Sequence, residues 1–219
     1  MTPRVLLING SPSGKQGNSA SVLDQLTVHL QAGATIESLV LADSFDSVLI
    51  ESQIRATDGF VFATGTYWDS WGSPLQRFFE TMTALEATDA WLGKPAAVLV
   101  TMHSVGGKGV LSRLQGVLNS LGVLIPPLTG WVYAASGQAA ISVFETPAEG
   151  EAESARVQRS MIVDDLWRLA DLEIVAHNLL AALYRTNNWK AWPVDRAHYE
   201  TLWVEPAEPS MDDITHHSQ

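Results

Sequence analysis

Short apolar segments that do not alternate with polar residues recur along the first hundred residues of this chain. They lie near residues 4–9, 36–41, 58–64 and 96–101 and are rich in Val, Ile, Leu and Phe. Strands that are buried on both faces have this composition, because helices cover both sides of a parallel sheet. The chain is therefore predicted to fold as an α/β protein around a parallel sheet.

Helical patterns separate these apolar segments. One helix is predicted after Asn18, a second after Ser73 and a third before Gly122, because apolar residues recur there at three- and four-residue spacing. The predicted apolar faces consist of Leu23, Leu26 and Leu30, then Leu75, Phe78, Phe79, Met82 and Leu85, then Leu111, Leu114, Leu118 and Leu121. Residues 73–76 (Ser-Pro-Leu-Gln) predict a capping box with proline in the first turn, and Gly122 stands at a C-cap position.

The second half of the chain completes the predicted domain. A fifth strand is expected between Val123 and Tyr133, although Pro126 and Pro127 disturb it, and a long helical pattern runs from about residue 154 to 184. Alternating strands and helices with right-handed crossovers predict a doubly wound five-stranded parallel sheet of order 2-1-3-4-5. We expect residues 1–192 to form the domain and residues 193–219 to form an acidic C-terminal arm or tail.

The composition excludes several classes of function. With 219 residues, 46% of them hydrophobic, the chain can bury a core, and the lack of cysteine excludes disulfides, thiolate nucleophiles and cysteine-ligated metals. The net charge of -11 disfavours nucleic acids and anionic membrane surfaces. We see neither a secretion signal nor a membrane span, and expect the cytoplasm. His216 and His217 lie near Asp212 and Asp213, and we expect a solvated tail there and no metal site.

The first strand leads into a loop that is rich in glycine and hydroxyl groups and opens a helix. Backbone amides and a helix N-terminus are aimed at a phosphate in this way, and FMN ends in such a phosphate. The glycine spacing fits neither a Walker A loop nor the dinucleotide fingerprint. The alternative is an ordinary turn in which Asn18 only caps the helix. The predicted phosphate-binding residues are Ser11, Ser13, Lys15, Gly17, Asn18 and Ser19.

Two further loops follow strands 3 and 4, which lie beside strand 1 in a sheet of this order. Ligands bind there because the carboxyl ends of the strands surround the topological switch point. These loops offer stacking surfaces and backbone donors for a flavin ring. The structural alternatives are that the aromatic residues only pack at the sheet edge and that the glycines only form a turn. For His103, the two possible roles are proton donation and a hydrogen bond to a flavin carbonyl. The predicted residues are Thr64, Gly65, Thr66, Tyr67, Trp68, His103, Ser104, Gly106 and Gly107.

These loops resemble those of the NAD(P)H-dependent FMN reductase family of the flavodoxin-like superfamily. The family pattern Gly-Ser-Pro-Arg followed by Gly-Asn-Thr is similar to residues 10–13 and 17–19. Its pattern Pro-x-Tyr-Trp-x-Ser followed by Pro-Leu-Lys is similar to residues 65–70 and 74–76. The resemblance extends over roughly residues 4–125 and implies a flavodoxin-like fold.

Three residues depart from the family pattern. Ser13 stands where the family has arginine, Gly65 where it has proline, and Gln76 where it has lysine. The serine leaves the phosphate charge to be balanced by Lys15, backbone amides and the helix dipole.

The resemblance implies an oxidoreductase that binds FMN and passes electrons from NADH or NADPH to a quinone, flavin, azo or nitro acceptor. The flavin carries this chemistry, so no catalytic acid or base is required. A homodimer or homotetramer is also implied, with Trp71 or later tryptophans at the interface. Two other functions stay open: a flavodoxin-type electron carrier, which the acidity allows, and a sensing or structural protein without cofactor, which Ser13 and Gly65 allow.

Overall fold

A computed structural model describes residues 2–134, 136–137, 139, 167–185 and 188–193 of the chain. The described residues form a five-stranded sheet of order β2-β1-β3-β4-β5, and every neighbouring pair is parallel. The strands are β1 (Arg4–Asn9), β2 (Thr35–Val40), β3 (Gly59–Gly65), β4 (Ala96–Met102) and β5 (Gly130–Ala134). The predicted fold class and strand order are confirmed.

Helices cover both faces of this sheet. They are α1 (Asn18–Leu30), α2 (Ser47–Arg55), α3 (Ser73–Met82), α4 (Gly107–Leu121) and α5 (Leu172–Leu183), with short 3-10 turns at Gly14–Gln16, Thr83–Leu85 and Leu169–Asp171. Helices α1 and α5 pack on one face, and α2, α3 and α4 pack on the other. Among the described residues, we find no helix with the length and apolar character that a membrane crossing needs.

The sheet has two separate apolar cores because successive side chains of a strand point to opposite faces. In β1, Val5 and Leu7 join the core under α1 and α5, whereas Leu6 and Ile8 join the core under α2, α3 and α4. All residues of β3 are buried. This double coverage explains the unbroken apolar segments of the sequence, and it leaves the strand ends as the place where a ligand can approach.

The structure corrects one local expectation and adds one helix that the sequence pattern does not predict. The capping box at residues 73–76 is wrong: Gly72 is the N-cap of α3, and Ser73 makes no side-chain cap bond. The Gln76 side chain instead accepts a hydrogen bond from Trp71 Nε1 at 2.9 Å and donates one to Glu80 at 2.8 Å. Helix α2, which the apolar pattern does not predict, is capped in its first turn by the carboxylate of Asp46.

The remaining helix predictions agree with the structure where it describes them. The predicted apolar residues of α1, α3 and α4 are buried, and Gly122 caps α4 with a φ of 104°. The fifth strand begins only after the two prolines, at Gly130. Of the long helical pattern, residues 172–183 form α5, and residues 154–166 lie outside the described residues. Residues 194–219, with the four residues weighed as a metal site, also lie outside them.

Candidate functional site

The loops that follow β1, β3 and β4 meet at the carboxyl edge of the sheet. They enclose a cleft of about 160 Å³. The cleft is lined by Ser11, Ser13, Asn18, Ser19, Gly65, Thr66, Tyr67, Thr101, Met102 and His103. All of these except Thr101 and Met102 are among the residues that the sequence predicts. Of the other predicted residues, Lys15, Gly17, Thr64, Trp68, Ser104, Gly106 and Gly107 do not line it.

The loop after β1 is held by the buried side chain of Asn9. Its Oδ1 accepts a hydrogen bond from the backbone N–H of Ser11 at 3.1 Å, and its Nδ2 donates to the carbonyl of Gly14 at 2.9 Å. Gly14 has a φ of +52°, a conformation that side chains disfavour. One amide therefore fixes both ends of the turn that carries Ser11 and Ser13.

Helix α1 directs its N-terminus at the cleft. Gly17 is its N-cap, and Asn18, its first residue, is exposed and makes no cap bond, so the ordinary capping role for Asn18 is not seen. The first N–H groups of any helix have no partner within the helix and carry a partial positive charge. They supply the cleft with anion-binding groups that no charged side chain has to provide.

A chain of buried hydroxyl groups ties α1 to the sheet below the cleft. Ser19 Oγ lies 3.2 Å from Thr101 Oγ1, and Thr101 Oγ1 donates to the carbonyl of Thr64 at 3.4 Å. Because a hydroxyl has one proton, Ser19 is the donor to Thr101 in this arrangement. Ser19 therefore anchors the helix and presents only acceptor positions to the cleft.

The loop after β3 makes a tight two-residue turn. Tyr67 and Ser70 pair through two backbone hydrogen bonds of 2.8 and 3.0 Å, and Trp68 and Asp69 between them have φ angles of 48° and 57°. Positive φ at both central residues is typical of type I′ turns and costs non-glycine residues roughly 1–2 kcal/mol each. The turn leaves the Trp68 side chain fully exposed at its tip.

Two threonines of this segment have different roles. Thr64 is buried beneath the loop, where its hydroxyl accepts from the backbone N–H of Gly72 at 3.0 Å. Thr66 lies beside the cleft, and its backbone N–H donates to the carbonyl of Thr101 at 2.7 Å. The Thr66 hydroxyl is buried and has no hydrogen-bond partner among the described residues. A buried hydroxyl without a partner is costly, so this group needs a ligand or a water molecule.

The loop after β4 is built around its glycines. Gly106 has a φ of 88°, serves as N-cap of α4, and lies so close to Asp69 that a Cβ would collide with the carboxylate. Gly107 packs under Met102, whose sulfur accepts its N–H at 3.2 Å. The side chains of His103 and Ser104 are exposed. Gly106 thus joins this loop to the turn after β3, and Gly107 packs the start of α4 against Met102 and Val132.

Lys15 and Trp71 both make contacts within their own chain. The Lys15 side chain is exposed and forms an ion pair with Asp43 at 3.1 Å. Trp71 is half-buried in its own chain, packed edge to face on Phe79 and beneath the guanidinium of Arg113. Among the described residues, no lysine or arginine lines the cleft.

These groups fit the phosphate end of a flavin nucleotide. Helix N–H groups, hydroxyls and an amide are donors that phosphate oxygens accept readily, and Thr66 adds a buried hydroxyl that still needs a partner. The volume of the cleft is below the roughly 300–1,000 Å³ of pockets that enclose whole drug-sized ligands. A flavin ring would therefore extend from the cleft onto the surrounding loops.

Residues 3–138, which include the three loops and all five strands, match the NADPH-dependent FMN reductase family. The chain belongs to this family. FMN and NAD(P)H are accordingly its cofactor and its co-substrate, and this FMN reductase family member is an NAD(P)H-dependent flavin oxidoreductase that acts on a small-molecule acceptor. No curated protein matches its sequence closely.

Several solved structures share the fold of this FMN reductase family member. RosB, bound to the intermediate 8-demethyl-8-formylriboflavin-5'-phosphate, is 15% identical with a TM-score of 0.61, over 83% of this chain and 79% of RosB. An oxidoreductase of Corynebacterium diphtheriae is 14% identical with a TM-score of 0.59, over 84% and 98%. The NAD(P)H:(acceptor) oxidoreductase FerB of Paracoccus denitrificans is 17% identical with a TM-score of 0.57, over 83% and 97%. At these identities the likeness establishes the fold.

Proposed function

We propose that this protein holds FMN with the phosphate in the cleft at the N-terminus of α1 and reduces a quinone, a free flavin, or an azo or nitro compound with NAD(P)H. The observation that carries the proposal is the convergence of three loops on one group of neutral anion donors. The FMN would supply the hydride and electron transfer. The protein supplies binding, orientation and access.

Two kinds of donor would bind the phosphate end. They are the first N–H groups of α1 with the amide of Asn18, and the hydroxyls of Ser11 and Ser13, which lie close to the N-cap Gly17. Thr66 belongs to the same lining, and its buried hydroxyl, which has no partner among the described residues, would need only a side-chain rotation to reach the ligand. This set neutralises phosphate by hydrogen bonds and the helix dipole, and it does not require the arginine of the family pattern.

The ring would lie over the loops after β3 and β4, beside Gly65, Tyr67 and His103. We assign His103 a hydrogen-bonding role toward the ring and no obligatory proton transfer, because its side chain is exposed. Trp68 is fully exposed at the turn and Val105 is largely exposed in the next loop. We propose that a second copy of the chain covers these residues, which would complete the ring site in a homodimer. NAD(P)H supply favours action in the cytoplasm.

A decisive experiment begins with the absorption spectrum of the purified protein after incubation with excess FMN and its removal. Retained flavin bands support the cleft as an FMN site, and a folded protein that retains no flavin overturns the proposal. Turnover of NADPH or NADH with a small quinone, followed at 340 nm in the same protein, then tests the acceptor.

Thr66→Val is expected to change cofactor affinity and stability in opposite directions. Without ligand, the variant should be more stable by about 1 kcal/mol, because a buried hydroxyl that lacks a partner has been removed. Its dissociation constant for FMN should rise about tenfold, because a hydrogen bond to the ligand is lost. Thermal unfolding without FMN and fluorescence titration with FMN measure the two effects.

Thr66→Ser is the matched control, since it keeps the hydroxyl and should bind FMN within about threefold of wild type. A Thr66→Val protein that binds FMN as tightly as wild type would show that this hydroxyl does not contact the cofactor.

A further inference from the structure

The phenol ring of Tyr67 is fixed in place at the mouth of the cleft. Its backbone N–H and carbonyl are both paired with Ser70. The ring lies against Gly65, where an added Cβ would stand 2.8 Å from Tyr67 Cε2 and 3.0 Å from its Oη. Gly65, which stands where the family pattern has proline, therefore leaves the space that the Tyr67 ring occupies.

The hydroxyl of Tyr67 lies 3.0 Å from Ser11 Oγ. Ser11 is 2% exposed, and its backbone is held by Asn9. Its Oγ also accepts the N–H of Ser13 at 3.3 Å. Without a ligand, Ser11 Oγ thus already has two hydrogen-bond partners.

The direction of the hydrogen bond between Tyr67 and Ser11 determines which of the two hydroxyl protons is free to bind a ligand. A hydroxyl has one proton to donate and two lone pairs to accept with. Either hydroxyl could be the donor by geometry, and because a phenol is a better donor than an alcohol we assign the proton of this hydrogen bond to Tyr67. The lone pairs of Ser11 are then taken by Tyr67 and Ser13, and its own O–H has to point elsewhere, toward the cleft that it lines.

We propose that Tyr67 is a positioning residue for the phosphate end of the cofactor: its hydroxyl orients Ser11 so that Ser11 donates to a phosphate oxygen. The inference rests on the proposed binding of FMN in this cleft. It gives Tyr67 a role beyond packing or stacking on the flavin ring. It also links the loop after β3 to the phosphate loop through one hydrogen bond.

The test compares FMN with riboflavin, which has the same ring and lacks the phosphate. Tyr67→Phe keeps the ring packed on Gly65 and removes only the hydroxyl. We expect this variant to bind FMN about tenfold more weakly than wild type, as for loss of a hydrogen bond to a charged group, with riboflavin affinity within about twofold. Equal losses for both ligands, or no loss for FMN, would overturn the proposal.

A double-mutant cycle adds a second, independent outcome. Ser11→Ala is expected to weaken FMN binding by a similar factor, because the donor itself is removed. In the Ser11→Ala background, Tyr67→Phe should change the FMN dissociation constant by less than about twofold, since residues that act through one another are not additive. Full additivity of the two losses contradicts the proposed coupling, even if riboflavin binds too weakly to be measured.

Tyr184→Phe is the matched control. It removes a tyrosine hydroxyl that donates to the carbonyl of Gly33 at 3.2 Å and does not line the cleft, so FMN affinity should stay at the wild-type value. Failure of the wild-type protein to bind FMN overturns the proposed function itself. Binding by wild type with an unselective effect of Tyr67→Phe overturns only the role of Tyr67.

Discussion

Asn9→Asp is expected to weaken FMN binding by about 100-fold, which corresponds to roughly 3 kcal/mol. The substitution preserves the shape of the side chain but replaces Nδ2, which donates to the Gly14 carbonyl at 2.9 Å, with an oxygen. The new carboxylate oxygen and the Gly14 carbonyl oxygen then repel each other, and a negative charge is buried beneath the loop that is proposed to bind the phosphate. Titration with FMN measures the change, and thermal unfolding without FMN measures the accompanying loss of stability.

Asn178→Asp is the control for this prediction. Asn178 also donates its side-chain amide to a backbone carbonyl, that of Pro127 at 2.9 Å, and it does not line the cleft. This variant loses the same kind of bond and gains the same charge, yet it should bind FMN as wild type does. If both variants lose FMN affinity equally, the effect of Asn9 is not a property of the phosphate loop.

Gly72→Ala is expected to destabilise the folded protein by about 3 kcal/mol and to abolish retention of FMN during gel filtration. A Cβ on Gly72 would stand 2.6 Å from the carbonyl oxygen of Gly10 and 2.6 Å from Pro12 Cδ. Real Cβ atoms do not approach backbone so closely, so the loops after β1 and β3 would have to separate. Denaturant unfolding of the FMN-free protein measures the stability.

Gly116→Ala is the control, and we expect it to raise the free energy of unfolding in the same experiment. Gly116 lies within α4, and a Cβ there would have no heavy atom within 4 Å. Alanine is favoured over glycine inside a helix, so this variant should gain about 0.5–1 kcal/mol and keep its FMN. Wild-type stability in Gly72→Ala would mean that the two loops are farther apart than described.

The sheet could be predicted from the sequence because a strand that is buried on both faces forms one unbroken apolar segment. The seven residues of β3 are all buried, and the sequence shows them as one apolar segment. Helix α2 left no such mark, because only Ile50 and Ile54 are buried whereas Val48 and Leu49 are exposed. Its pattern is too short and too mixed to show a helical face.

The position of the loop after β1 at the candidate site could be predicted, because its glycine and hydroxyl residues follow one another directly after a buried strand. The contribution of Thr101 could not, because it depends on a partner that folding brings close, the Ser19 hydroxyl 82 residues earlier. The partners of Asn9, Ser11 and Gly14, are only two and five residues away, so the asparagine at the start of the loop was a local signal that the prediction missed. The capping box failed for a related reason: Gln76 has the right spacing from Ser73, but its amide bonds to Trp71 and Glu80 instead.

The neutral lining of the cleft has a consequence for how the cofactor responds to ionic strength. In sites built from lysine and arginine, added salt screens an attraction and weakens the binding of a phosphate. Here the groups proposed to bind the phosphate are neutral, whereas the whole chain carries a net charge of -11 and repels an anion at long range. Salt should therefore screen a repulsion, and we expect the apoprotein to acquire its flavin more readily in concentrated electrolyte than in dilute buffer.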